Sequence, residues 1–200
     1  RALYHREGFG RIWQGPGKSG LVIAQINAYA HSLQSLPWFI LWGSRLFLLA
    51  AVLIHAWTAY SLIVENRKAR PDANEVEVTK RAGLASLRMG FTGSIILAFI
   101  VFHLLHFTVR TIYPEYAEMM TTVGSPDETK IHDAFLMVIS GFKHDLISIF
   151  YVVAMALLCA HLAHGFSSVF QSLGIRSESW RAKIDLIGIG YAWLIFIGFL

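Results

Sequence analysis

Four apolar stretches constrain this chain more than any other feature. A helix needs about 20 residues to cross a hydrocarbon layer of roughly 30 Å. The first stretch covers residues 38–64, "WFILWGSRLFLLAAVLIHAWTAYSLIV", opened by Pro37 and closed by the polar run "ENRKARP". The second covers residues 90–109, the third 146–170, and the fourth 184–200. Together they predict an all-α transmembrane helix bundle over residues 38–200, with four spans. Composition points the same way: 55% of residues are hydrophobic and 15% charged, against about 25% charged in a soluble domain. The 14 Phe, 6 Trp and 7 Tyr suit lipid-facing and interfacial positions. Cys159 is the single cysteine and lies within an apolar run, which excludes both a disulfide framework and a thiolate metal cluster. The net charge of +4 follows loop topology, so nucleic acid is not an expected partner.

Arg1 opens the sequence and the last apolar run, "LIGIGYAWLIFIGFL", is still in progress at Leu200, so a fragment of a longer protein is expected. Residues 1–37, with Gly8, Gly10, Gly15, Pro16, Gly17 and Gly20, read as an extracytoplasmic loop carrying a surface helix over "IAQINAYAHSLQSL". Loop charge sets orientation. Residues 65–88 hold six Lys/Arg, and residues 171–185 hold Arg176, Arg181 and Lys183. Residues 110–145 carry three Lys/Arg against six Asp/Glu. The excess of Lys/Arg places 65–88 and 171–185 on the cytoplasmic side and the other two loops outside.

Within this frame the histidines acquire depths, at about 1.5 Å per residue. "HLLH" spans 103–106 and "HLAH" spans 161–164, both inside apolar runs, where an imidazole without a partner is costly. His55 lies ten residues before Glu65 and His161 ten before Gln171, on helices that run in the same direction. Their rings should therefore share one level, roughly 15 Å from the inner edge. His103 lies 15 residues past Arg88 and seven before Arg110, in the outer half. Two imidazoles at one level on two helices can take both axial positions of a haem iron. A zinc or di-iron site would gather three or more His/Asp/Glu at one level, and these spans hold no deep acidic residue. The plain structural reading is a buried imidazole bonded to a carbonyl or hydroxyl; the matched depth of His55 and His161 favours ligation for that pair. His106 and His164 follow their partners by three residues, on roughly the same helix face, and approach an interface. They suit donation to a haem propionate or a quinone oxygen, as do Arg88 and Arg110; the competing reading is a polar residue reaching the headgroups.

The segments "INAYAHSLQSLP", "HAWTAYSLIVENRKARP", "RMGFTGSIILAFIVFHLLHFT" and "HLAHGFSSVFQSLG" together resemble the cytochrome b558 membrane-anchor subunit of succinate dehydrogenases and fumarate reductases, the single-chain, five-helix, dihaem type. The resemblance covers about residues 26–200. It implies two b haems stacked across a bacterial cytoplasmic membrane, exchange of electrons with quinone, and docking of a flavoprotein and an iron–sulfur subunit on the cytoplasmic face. FAD and the iron–sulfur clusters would belong to those partners, and dicarboxylate chemistry would lie outside this chain. Menaquinone is the expected quinone, from the family's usual company. His55 and His161 match the ligands of the haem nearer the iron–sulfur subunit, and His103 matches one ligand of the distal haem. The fourth ligand belongs to a first helix with a pattern like HxxGN. His5 with Gly8 has that spacing, but Arg6, Glu7 and Arg11 depart from a membrane interior; His31 is a weaker match still. Where some relatives carry a glutamate two residues before the counterpart of His161, this chain has Cys159, which puts a glutamate-dependent proton route in doubt.

The rival readings are a haem-free structural anchor of the same complex and a haem b subunit of another dehydrogenase or hydrogenase. For quinone, the outer end of the second span offers His106, Thr108, Arg110 and Tyr113, and the inner ends offer Ser86, Arg88 and His164. The outer site is the expected one, since a second haem is needed only if electrons cross the membrane.

Overall fold

The computed structural model describes residues 18–69, 89–122, 130–175 and 177–199. Helix α1 spans Lys18–Gln34, α2 Trp38–Ala69 and α3 Met89–His103, continued by a π-turn at Leu104–Thr108. A 3-10 turn at Pro114–Glu118 and a hairpin of β1 (Met120–Thr122) and β2 (Lys130–His132) follow, then α4 at Ala134–Phe142, α5 at Asp145–Ser172 and α6 at Glu178–Phe199. Four of these helical runs are long and apolar enough to cross a membrane: α2, Met89–Thr108, α5 and α6. They are the architecture of a multi-pass, all-α membrane protein. Each falls on an expected stretch, the second ending at Thr108, one residue short of the expected 109. Three extend into polar sequence, since backbone hydrogen bonds continue wherever nothing interrupts them: α2 runs five residues past Val64, and α6 begins at Glu178 rather than Ile184. The expected surface helix in the first segment begins earlier, at Lys18.

Helix ends are set by local chemistry. Pro37 lacks an N–H and so cannot continue α1, while its carbonyl accepts from Leu41 N–H at 3.1 Å and opens α2. The end of α5 is a Schellman motif. Gly174 sits at φ +71°, Ile175 N–H reaches Phe170 C=O at 3.0 Å and Gly174 N–H reaches Gln171 C=O at 3.1 Å. The end of the π-turn is a widened version of the same motif. Val109 N–H bonds Leu104 C=O at 2.7 Å and Thr111 N–H bonds Leu105 C=O at 3.0 Å, one residue further back than in the ordinary motif. The left-handed residue here is Arg110, at φ +62°, a conformation that costs a residue with a Cβ about 1–2 kcal/mol.

The chain divides into two compact units, with the boundaries inside α2 and at the junction of α3 with the π-turn. One unit holds α1, the start of α2 and residues 104–144. Its centre is aromatic. His106 is fully buried and lies 4.0 Å from Phe107, 5.6 Å from Tyr113 and 5.9 Å from Tyr116 by ring centres, while Tyr113 stacks on His144 at 5.2 Å and 7°. Gly141 of α4 backs this cluster so closely that a Cβ there would stand 2.8 Å from the Phe107 ring and 3.2 Å from His106 Cε1. In the same unit Asn27 of α1, 1% exposed, donates from Nδ2 to Asp133 Oδ1 at 3.0 Å. Its Oδ1 accepts from Phe135 N–H at 2.9 Å. Asp133 in turn caps α4 by accepting from Leu136 N–H at 2.9 Å, so two of the N–H groups that every helix start leaves over are satisfied, one of them from another helix.

His132 of β2 carries a pH dependence for this unit. Burial chiefly, and then the Arg110 guanidinium, holds its pKa below the usual imidazole range, against the opposing pull of the Met119 carbonyl and the Asp133 carboxylate. The folded unit therefore binds fewer protons at His132 than the unfolded chain does. Its stability is complete above the ordinary value of about 6.5 and falls as the pH drops below it. We expect the protection factors of the α4 amides, corrected for the intrinsic pH dependence of exchange, to fall as the pH is lowered from 7.5 to 5 in the native chain and to fall less in His132→Asn; identical protection profiles would count against this assignment.

The other unit holds the rest of α2 with α3, α5 and α6. Here α5 and α6 are joined by Ser167 Oγ–H, which donates to the Asp185 carboxylate, and by Gly188, where a Cβ would stand 3.1 Å from Ala163 O. Small residues let membrane helices approach in this way. In contrast, α2 has no buried residue along its length.

Candidate functional site

In the second unit His55 of α2, which is exposed, and His161 of α5, which is half-buried, stand beside each other next to α3. His55 is carried in an uninterrupted helical run of leucine, valine and alanine, and His161 in a similar run of α5. Helical continuity on both sides fixes where each Cβ stands, so the imidazoles are placed by backbone rather than by loops. Their ring centres are 6.2 Å apart and their planes meet at 85°. Two imidazoles bound to one metal from opposite sides through bonds of about 2.0–2.1 Å have ring centres roughly 6 Å apart. The spacing thus fits two axial ligands of one iron. Among the described residues no group of three His, Cys, Asp or Glu gathers to hold a metal ion.

Helix α3 supplies the support. Thr92 Oγ1 lies 3.3 Å from His161 Nδ1 and donates to Met89 C=O at 3.1 Å. At Gly93 a Cβ would stand 3.4 Å from His161 Cε1, so the bare turn leaves room for the ring edge. The contact was not expected from residue counting: Thr92 is four residues past Arg88 and His161 ten before Gln171, depths that differ by about 9 Å. Helices that end at different heights make such counts unequal. The signal available in sequence was a lone hydroxyl between two glycines in "MGFTGSII".

His103 ends α3 and lies against Phe99 and Tyr151, with ring centres 6.0 and 6.1 Å away. Tyr151 OH stands 3.5 Å from His103 Nδ1, so this ring too has a hydroxyl beside Nδ1. His164 follows His161 by three residues on α5 and is half-buried. Cys159 is buried and lines an apolar cleft with Ala156, Trp193 and Phe196, surroundings that offer no carboxylate as a proton carrier.

The π-turn changes the expectation for His106. A three-residue step in an α-helix returns to nearly the same face, but the wider turn beginning at Leu104 breaks that relation, and His106 packs against Phe107, Tyr113 and Tyr116 while His103 packs against Phe99 and Tyr151. Thr108 is exposed and Arg110 half-buried, with Arg110 Nε buried and without a hydrogen-bond partner. The His106 imidazole is thus sealed behind its neighbouring rings, whereas Thr108 is exposed and Arg110 and Tyr113 are half-buried. His31 of α1 is exposed, its Nε2 3.4 Å from Ser35 Oγ. His5, Ser86, Arg88 and Arg176 lie outside the described residues. No family model, curated protein or solved structure matches this chain.

Proposed function

We propose that this chain is the membrane-anchor and electron-transfer cytochrome b subunit of a succinate:quinone oxidoreductase, succinate dehydrogenase or fumarate reductase, in a bacterial cytoplasmic membrane. The observation that carries the proposal is the neighbouring pair His55 and His161, ring centres 6.2 Å apart, with a hydroxyl at the Nδ1 of one ring. The four membrane-length helices and the resemblance of the histidine-bearing segments support it.

In this reading His55 and His161 hold the haem nearer the cytoplasm, and His103, with Tyr151 beside it, holds the distal one together with a ligand from outside the described residues. Haem b, when bound, supplies one-electron transfer at the iron. The chain's own part is to carry the two imidazoles on adjacent apolar helices, His161 half-buried and His55 exposed, and to set the hydrogen bonding that tunes the potential. The basic loops at 65–88 and 171–185 dock the iron–sulfur subunit, which carries the flavoprotein. Quinone, menaquinone by resemblance, exchanges near the end of the second span, where Arg110 and Tyr113 can bond its oxygens and protons can enter.

A reduced-minus-oxidised spectrum of the purified full-length protein tests the proposal. The expected result is the sharp α band of six-coordinate haem b, with about two haems per chain by extraction. A preparation competent to anchor its partners yet without any such band would sink the redox reading in favour of a haem-free anchor.

A further inference from the structure

We infer that Thr92 is a positioning residue that locks His161 in the tautomer whose Nε2 is free to bind a metal. A hydroxyl has one proton. In a helix a threonine commonly gives that proton to a carbonyl one turn back, and Thr92 does so, to Met89 C=O at 3.1 Å. Toward His161, 3.3 Å away at Nδ1, the Thr92 oxygen then has lone pairs alone to offer. Nδ1 must be the donor, which puts the ring proton on Nδ1 and the lone pair on Nε2. The two hydrogen bonds form one directed relay, from imidazole to hydroxyl to backbone carbonyl.

The ring is also held in place. Gly93, the next residue, lets the Cε1 edge lie against α3, at 3.4 Å from where a Cβ would stand. His55 lies on another helix, its ring at 85° to that of His161. Thr92 is half-buried, so little water competes for Nδ1–H. A partner of this kind on the far ring nitrogen orients a metal-binding histidine and raises its basicity, and losing one typically weakens metal binding about 10–100-fold. A threonine oxygen is a neutral acceptor and polarises the imidazole less than a carboxylate would, which leaves the ligand an ordinary imidazole rather than one with imidazolate character.

The positioning role rests on the proposed haem function, but the tautomer does not, and this separates the two in experiment. Nitrogen-15 NMR of the haem-free full chain in lipid nanodiscs, with labelled histidine, is expected to show His161 protonated at Nδ1. Thr92→Val, which keeps the shape and removes the hydroxyl, should give a mixture of tautomers, and Thr92→Ser should restore the native signal. In the haem-loaded protein Thr92→Val should lower retention of the His55–His161 haem about 10–100-fold and change its low-spin electron paramagnetic resonance signature, with Thr92→Ser close to native in both. An Nε2–H tautomer in the native chain, or a Thr92→Val protein with native tautomer, would overturn the inference. A tautomer that responds as expected in a chain that takes up no haem would leave the lock standing and sink the haem function.

Discussion

His161→Ala should remove one b haem from the assembled complex and leave a second in place. The two imidazoles stand 6.2 Å apart by ring centres on separate helices, and on the proposed function an alanine would leave the iron a single axial ligand from this pair. Loss of the coordinating atom itself should exceed the roughly 10–100-fold weakening that follows loss of an outer partner, so at ordinary protein concentrations the haem is absent rather than loosened. His55→Ala should give the same phenotype, because on the proposed function both rings bind one iron. His103→Ala should remove the other haem, since His103 lies among a different set of rings, Phe99 and Tyr151. Haem content and redox titration of each variant provide the measure: one of two reduction steps should vanish in each case. A His161→Ala complex that keeps both haems would refute the pairing.

The second large effect is expected at Asn27. Its carboxamide is 1% exposed and satisfies the Asp133 carboxylate and the Phe135 N–H together. Asn27→Leu keeps the branched outline but strips both partners, and an unsatisfied buried donor or acceptor costs about 1–3 kcal/mol, more when charged. The unit formed by α1 and residues 104–144 should lose about 3 kcal/mol or more in all, read as faster hydrogen exchange in α4 and earlier proteolysis of the β1–β2 hairpin. The His55–His161 pair lies in the other compact unit, so its haem should persist. Native protection of α4 in Asn27→Leu would show that helix α1 is held by other contacts.

What could be read from sequence followed from uninterrupted local signals. The four long apolar runs specify helices without reference to anything distant, and they are helices. Counting residues from His55 and His161 to their polar boundaries set the two rings at one level, and they are neighbours. Where the structure depends on residues far apart in sequence, local pattern was silent. Nothing near Asn27 announces Asp133, 106 positions later, and nothing in "LLHFT" departs from an α-helical composition at the point where the π-turn forms. The stretch 110–145 read as a charged connection; its 3-10 turn, hairpin and capped helix are held by tyrosine and histidine rings whose partners come from several of those pieces. Thr92 was missed because depth was measured from polar ends, which do not lie level from one helix to the next.

The π-turn has a consequence for how this chain tolerates changes in length. A turn of this kind is an α-helix that carries one residue more than its register needs. Upstream of it, from Met89 to His103, deleting a single residue would rotate every later side chain by about 100° and carry Phe99 and His103 away from Tyr151. Within Leu104–Thr108 the same deletion would instead draw the surplus residue out and let ordinary α-helix close over the gap. The segment is thus the place in the second span where one residue can be lost without turning His103.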